Sequence, residues 1–128
     1  MIEIHLKRAY ESPSPDDGCR ILVDRLWPRG IRKEAARIDF WIKEVAPSTA
    51  LRKWFGHDPA KWEEFTKRYF AELDDRGAAV DEILSLALAS RVHGRLTLVY
   101  GARDETYNNA VALKQYLERR AGRTCRKR

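Results

Sequence analysis

The sequence predicts a single α/β domain whose small, mostly parallel sheet is flanked by helices on both faces. Two short runs, Ile21–Val23 and Leu96–Tyr100, are continuously apolar, which is typical of strands buried on both sides. Stretches with apolar residues at helical spacing lie between and after these runs, so strands and helices alternate along the chain. A length of 128 residues suits one domain.

The first strand is predicted at the N-terminus, where Ile2, Ile4 and Leu6 alternate with polar residues. This alternation is typical of a half-buried strand near a sheet edge. Residues 12–18 are rich in proline, serine and aspartate, and they predict a loop. After the second strand, the proline and glycine within residues 24–30 predict a turn just past its carboxyl end.

Residues 38–45 fit two patterns. Their apolar residues recur at a helical spacing and also alternate as in a strand, and the helix is the preferred prediction. The positions are Ile38, Trp41, Ile42 and Val45 for the helix, and Ile38, Phe40 and Ile42 for the strand. Ala46–Ser48 interrupts the pattern. Ser48 or Thr49 then has the side chain to cap a short helix that ends near Phe55.

The second half of the chain is predicted to be mainly helical. Asp58 followed by proline is typical of a helix N-cap. Three apolar stripes then predict a helix that Gly77 closes, a helix that ends near Gly94, and a last helix that begins at Asp104 or Thr106. Their apolar positions are Trp62, Phe65, Tyr69 and Leu73; Val80, Ile83, Leu84, Ala87 and Leu88; and Ala110, Leu113 and Leu117.

The net charge of +6 is located at the C-terminus. Six of the 25 basic residues lie within residues 119–128, which contain no acidic residue, and the other 19 equal the 19 acidic residues in number. We therefore expect one neutral folded domain over residues 1–118 and a flexible basic tail over residues 119–128. Such a tail typically aids solubility, and weak non-specific binding of nucleic acid through it is the alternative.

The composition predicts a cytoplasmic protein. Hydrophobic residues make up 44% of the chain and charged residues 34%, which suits a soluble globular domain. No apolar run is long enough to span a membrane, and the N-terminus lacks the pattern of a signal peptide. Cys19, which is predicted in a turn, and Cys125 lack ligand or disulfide spacing, so free thiols are expected.

Charged side chains follow the second strand directly, at the edge where parallel sheets bind their ligands. Arg25 and Arg29 could bind a phosphate or carboxylate in a two-pronged manner, with Trp27 as a stacking wall. Asp24 could orient one of these arginines or act as a catalytic base. The alternative is an internal ion pair between Asp24 and an arginine that fixes the turn, with Trp27 in the core.

A second group of candidates surrounds the short central helix. His57 is a candidate catalytic acid or base, or it merely packs or faces water. Ser48 and Arg52 are candidate ligand-binding residues. Helix capping is the alternative for Ser48, and a surface ion pair with Glu63 or Glu64 is the alternative for Arg52.

A third group brackets the end of the strand Leu96–Tyr100. Tyr100 is a candidate catalytic residue, while Arg103, Asp104 and Asn108 are candidate ligand-binding residues. A helix that begins here would offer free backbone N–H groups to an anion. The alternative is that Asp104 caps the helix, Asn108 is exposed in its first turn, and Tyr100 is a core ring.

The sequence of several segments resembles the YeaO-like family, a family of small bacterial proteins defined by a domain of unknown function. The segments are Val23–Gly30, Ala46–Ser48, Leu51–Phe55, His57–Asp58, Tyr100–Asp104 and Asn108. The resemblance runs from about residue 2 to residue 118 and leaves out the basic tail. It implies a single α/β domain with a pocket built from these segments, and it carries no established activity or catalytic residue.

Missing motifs narrow the function. The chain has neither a Walker loop nor a Gly-x-Gly-x-x-Gly turn, and its histidines and cysteines lack metal-ligand spacing, so we predict no nucleotide cofactor and no metal. The leading hypothesis is a domain that binds, or turns over, a small anionic or phosphate-bearing ligand at the carboxyl ends of the strands. The alternative is a nucleic-acid-associated or regulatory protein that uses its basic tail.

Overall fold

One sheet of four parallel strands organises the protein. The computed structural model describes the backbone of residues 2–126 and the side chains of residues 2–122. The strands are β1 (Glu3–Arg8), β2 (Cys19–Leu22), β3 (Phe40–Trp41) and β4 (Arg95–Tyr100). Their order is β1-β4-β2-β3, and every pairing is parallel. The predicted single α/β domain and the edge position of the first strand are both confirmed.

Within residues 2–126, five α-helices accompany the sheet: α1 (Lys33–Ala36), α2 (Thr49–Phe55), α3 (Trp62–Asp74), α4 (Gly77–Leu88) and α5 (Asn109–Arg126). Short 3-10 turns are formed by Pro15–Asp17, Lys43–Val45 and Pro59–Lys61. Across the part of the chain that the structure describes, none of these helices is apolar over a stretch that would cross a bilayer.

The two faces of the sheet are covered unequally. Ile21 and Leu98 are fully buried on the face that packs against α3, α4 and α5, where most of the core lies. Their neighbours Leu22 and Val99 are buried on the opposite face, because successive side chains of a strand alternate. A second, smaller core forms there under α1 and the segment that precedes it. It is completed by Trp27, Ile31, Ile38 and Trp41.

The preferred helix over residues 38–45 is wrong. Phe40 and Trp41 form β3 and pair in parallel with Ile21 and Leu22 of β2. The backbone N–H of Asp39 donates to the Arg20 carbonyl at 2.8 Å, which begins this pairing. The free edge of β2 supplies hydrogen bonds that an isolated helical turn cannot match, so tertiary pairing decides between the two sequence patterns.

Two predicted helix caps are confirmed, and two other predicted helix boundaries are wrong. The Ser48 hydroxyl accepts from the Leu51 N–H as the N-cap of α2, and Asp58 caps the 3-10 turn that leads into α3. Gly77 does not close α3 but begins α4. The last helix begins at Asn109, later than predicted, because the side chain of Asn108 accepts from the N–H of Val111.

Two further positions differ from the sequence prediction. Cys19 is the first residue of β2 and is buried as a free thiol, instead of lying in a turn. Burial raises the pKa of the Cys19 thiol to about 11. The boundary predicted after residue 118 falls inside α5, which continues to Arg126.

Candidate functional site

A cleft opens between the carboxyl ends of β2 and β4. From β2 the chain leads to α1 on one face of the sheet, and from β4 it leads to α5 on the other. Adjacent strands whose connections leave to opposite faces create a crevice, the usual ligand position in such folds. The cleft has a volume of about 180 Å³. We call it the anion cleft, and it is lined by Asp24, Arg25, Leu26, Ala46, Pro47, Arg52, Phe55, His57, Ala102 and Asn109.

Asp24 connects the two strand ends at the base of this cleft. One carboxylate oxygen accepts from the Gly101 N–H at 2.8 Å, and the other accepts from the Asn109 side chain at 3.1 Å. Burial raises the pKa of Asp24, against the opposing effect of these hydrogen bonds and of the positive charge of Arg52.

Two arginines line the cleft, and neither forms an ion pair with a carboxylate in the part of the chain that the structure describes. Arg25 is exposed and donates one hydrogen bond, at 3.3 Å, to the Pro47 carbonyl. Arg52 is exposed on α2, and its side chain makes no hydrogen bond or ion pair with the described residues. Its predicted alternative partner Glu64 pairs with Arg68 instead, at 2.8 Å. Both guanidinium groups therefore keep donors available for an anion.

His57 lines the same cleft from the end of α2. Its backbone has a φ of 57°, a left-handed conformation that is uncommon outside glycine. The ring lies 5.8 Å from the ring of Phe55, and Nδ1 lies 3.5 Å from the Tyr107 carbonyl oxygen. His57 lines the cleft from this position, and backbone strain of this kind is often found at functional sites.

Seven of the eleven predicted site residues do not line the cleft, among them Trp27, Arg29 and Tyr100. Trp27 packs edge-on against Trp41, with a centroid distance of 5.6 Å, in the core of the other sheet face. Arg29 is exposed, and its carbonyl accepts from Tyr10. Tyr100 is buried on β4, where burial raises the pKa of its hydroxyl. Asp24 and Arg25 therefore line the cleft, whereas Trp27, Arg29 and Tyr100 do not.

The remaining predicted residues hold local turns. The Ser48 hydroxyl donates to Glu72 at 2.6 Å besides capping α2. One Asp104 oxygen accepts from two backbone N–H groups, of Thr106 and Tyr107, which lowers the pKa of that carboxyl. Asn108 is buried and caps α5. Arg103 is exposed beside these turns and does not line the anion cleft.

Sequence reasoning missed Asn109 and the apolar wall of the cleft. Asn109 follows the predicted cap by one position, and its spacing carries no signal that its amide reaches Asp24 across the crevice. Leu26 is 65% exposed at the rim, although it is a large apolar residue. A leucine directly after an Asp–Arg pair in a predicted turn was the available signal for it. Phe55 and Pro47 complete the wall.

The basic tail is partly attached to the folded domain. Arg119 lies over the ring of Phe70 at 5.4 Å, and Arg120 pairs with Asp81 at 2.9 Å. The side chains of the other four basic tail residues lie outside the described residues, as does Cys125. Weak nucleic-acid binding through this tail stays a prediction.

The cleft lacks the parts of a nucleophilic active site among its described lining residues. Its lining residues include no serine, threonine or cysteine. Ser48, whose hydroxyl donates to Glu72, does not line the cleft, and Asp24 accepts from two donors, so no hydroxyl or thiol lies beside a base among the described lining residues. Within residues 2–122, no three histidine, cysteine or acidic side chains are close enough together to hold a metal ion.

These features define a single-domain parallel α/β protein with an arginine-lined cleft at the carboxyl edge of its sheet. The chain belongs to the family described as the inactive DUF488-N3 subclade, whose model matches residues 3–127. The match extends into the basic tail, beyond the range that the sequence motifs indicated.

Curated relatives agree with this assignment. The chain is 44% identical over 117 residues to the uncharacterized protein Rv3073c of Mycobacterium tuberculosis. This alignment covers 91% of this chain and 95% of that protein. The chain is also 40% identical over 116 residues to the uncharacterized protein YeaO of Escherichia coli. That alignment covers 91% of this chain and 97% of the Escherichia coli protein. The resemblance to the YeaO-like family is thereby confirmed. No solved structure matches the chain.

Proposed function

We propose that the protein is a binding domain for a small anionic ligand, held in the anion cleft by Arg25 and Arg52. The observation that carries this proposal is that two exposed arginines line one cleft at the crevice of the sheet, and neither forms an ion pair with a carboxylate of the described residues. Guanidinium groups bind carboxylate or phosphate through paired hydrogen bonds. The ligand is small because a cleft of about 180 Å³ is below the range of typical drug-sized sites.

Binding without turnover is the version that we favour. The matched subclade is described as inactive, and the cleft presents no activated nucleophile. In this proposal His57 is a hydrogen-bond partner of the ligand, while Asp24 holds the two strand ends in place. The apolar wall of Leu26, Pro47 and Phe55 would contact the non-ionic part of the ligand.

A thermal-shift screen with phosphate, sulfate and small carboxylates tests the proposal. A ligand at a hundred times its Kd stabilises the folded state by about 2.7 kcal/mol. We expect the variant Arg52→Gln to weaken binding about tenfold or more, because a charge-assisted hydrogen bond contributes about 1.5–3 kcal/mol. The matched control is Arg32→Gln, which removes an equally exposed arginine outside the cleft. Equal loss in both variants would reduce the effect to general charge attraction and contradict the proposal.

A further inference from the structure

A second depression adjoins the anion cleft. It is about 340 Å³ in volume and is lined by Arg25, Lys43, Glu44 and Arg76, and we call it the side groove. Arg25 lines both depressions, so they are neighbours at the carboxyl edge of the sheet.

The segment that borders both depressions is held rigidly. Arg76 donates through one guanidinium nitrogen to the carbonyls of Glu44, at 2.7 Å, and Ala46, at 2.6 Å. Arg25 donates to the carbonyl of Pro47, the next residue along. The Lys43 ammonium lies 4.1 Å from the centroid of the Trp41 ring, which limits where it can move. The cations are thus positioned around a fixed wall.

The two depressions together carry more positive than negative charge. Arg25, Arg52, Lys43 and Arg76 face two acids, Asp24 and Glu44. Asp24 is already bonded to Gly101 and Asn109. Outside residues 119–128 the chain has as many basic as acidic residues, so this excess is local. A local excess in two adjoining hollows indicates a ligand with more than one anionic group.

We propose that the anion cleft and the side groove together bind one molecule that carries two phosphoryl groups, with Arg25 shared between them. This inference rests on the proposed function, since the first phosphoryl group occupies the anion cleft. The second lies against Lys43 and the free guanidinium nitrogen of Arg76. A lysine suits this position because its ammonium acts as a compact point charge that needs no fixed orientation.

Isothermal titration with two kinds of probe tests the inference. Inorganic phosphate reports the anion cleft alone, and alkane bisphosphonates with one to several methylene spacers report both depressions. We expect the best bisphosphonate to bind about tenfold tighter than phosphate, with an optimum spacer length, because one further charge-assisted contact is made. The variant Lys43→Gln removes most of this advantage and leaves phosphate binding unchanged. Lys43 is exposed, so the fold is retained, which thermal unfolding verifies.

The variants separate the two proposals. Arg52→Gln weakens both probes, whereas Arg32→Gln weakens neither. If Lys43→Gln leaves the bisphosphonate advantage intact, the side groove is not used and this inference is wrong, although single-anion binding stands. If the unaltered protein binds neither probe, both proposals fail.

A third probe distinguishes the source of the phosphoryl groups. A 5′-phosphorylated thymidine dinucleotide presents two successive phosphates as a nucleic-acid strand does. If it binds as tightly as the best bisphosphonate and is weakened equally by Lys43→Gln, the phosphates come from a nucleic-acid strand. If it binds no better than phosphate while the bisphosphonate retains its Lys43 dependence, the ligand is a small free bisphosphate.

Discussion

Two groups of charged residues lie at opposite ends of the sheet. The charges of one group are buried and paired, whereas an arginine of the other is exposed and forms no ion pair with the described residues. Near the amino end of β2, Arg20 is 3% exposed, and its guanidinium donates to Asp17 at 2.6 Å and to the Ala36 carbonyl at 2.9 Å. Lys7 completes that cluster by pairing with the second Asp17 oxygen at 3.0 Å. At the carboxyl end, Arg52 is exposed and pairs with no acid of the described chain.

This difference distinguishes charged groups that stabilise the fold from charged groups that can bind a ligand. A buried arginine must have its donors satisfied within the fold, because an unpaired buried charge is strongly destabilising. An exposed arginine in a cleft contributes little to folding and keeps its donors for a ligand.

The pKa values of the two aspartates also differ between the two ends of the sheet. Burial alone would raise the pKa of Asp17, but hydrogen bonds from the Ser14 backbone, Lys7 and Arg20 lower it, whereas burial prevails at Asp24 and raises its pKa.

The largest expected effect is at the paired cluster. Arg20→Met removes the donors to Asp17 and to two backbone carbonyls, so we expect the free energy of unfolding to fall by about 3 kcal/mol or more. Urea denaturation measures this change. Lys7→Met should be milder, because Asp17 keeps Arg20. A loss below about 1 kcal/mol in Arg20→Met would contradict the structural role of the cluster.

The pH dependence of stability should have opposite signs at the two aspartates. The raised pKa of Asp24 stabilises the folded state at low pH, and this contribution is lost as the pH rises through its folded pKa. The lowered pKa of Asp17 stabilises the folded state above its unfolded pKa, and this contribution is lost as the pH falls through its folded pKa.

Unfolding measurements from about pH 3 to about pH 7 test these signs. The difference in stability between the unaltered protein and Asp24→Asn should shrink or reverse as the pH rises. The corresponding difference for Asp17→Asn should grow. Slopes of the same sign would mean that Asp24 is not a buried carboxyl of the kind described.

The smallest expected effect concerns the two non-glycine residues in the left-handed conformation, Arg37 (φ 48°) and His57 (φ 57°). That conformation costs an L-residue about 1–2 kcal/mol, and the extra chain entropy of glycine offsets about 0.5–1 kcal/mol. Arg37→Gly and His57→Gly should therefore each stabilise the fold by about 0.5 kcal/mol. Only His57→Gly should also weaken anion binding in the thermal-shift assay. Equal binding in both variants would remove His57 from the site.

The sequence predicted the parts of the fold that are set locally. Alternation in Ile2–Leu6 and the apolar runs at β2 and β4 located three of the four strands, and the side chains of Ser48 and Asp58 marked two helix starts. The fourth strand was missed because β3 depends on the free edge of β2, which lies about twenty residues earlier in the chain. Local spacing cannot contain that partner.

The residues of the candidate site were likewise predicted only in part. The rule that ligands bind at the carboxyl ends of parallel strands selected Asp24 and Arg25, and the sequence of α2 and its C-terminal end selected Arg52 and His57. The structure places these four residues at one cleft, and their role in binding stays a prediction. The same rule also selected Trp27, which the turn after β2 places in the core of the opposite sheet face. Asn109 was missed, because its contact with Asp24 depends on how α5 leaves the sheet.

Binding of an anion between Arg25 and Arg52 can be observed by nuclear magnetic resonance of ¹⁵N-labelled protein titrated with inorganic phosphate. We expect saturable shifts of the Gly101 amide and of the Arg25 and Arg52 side-chain signals, with the Arg20 signals unmoved. Shifts that do not saturate, or that centre on the Arg20 cluster and leave Arg52 unaffected, would mean that no anion binds at this cleft.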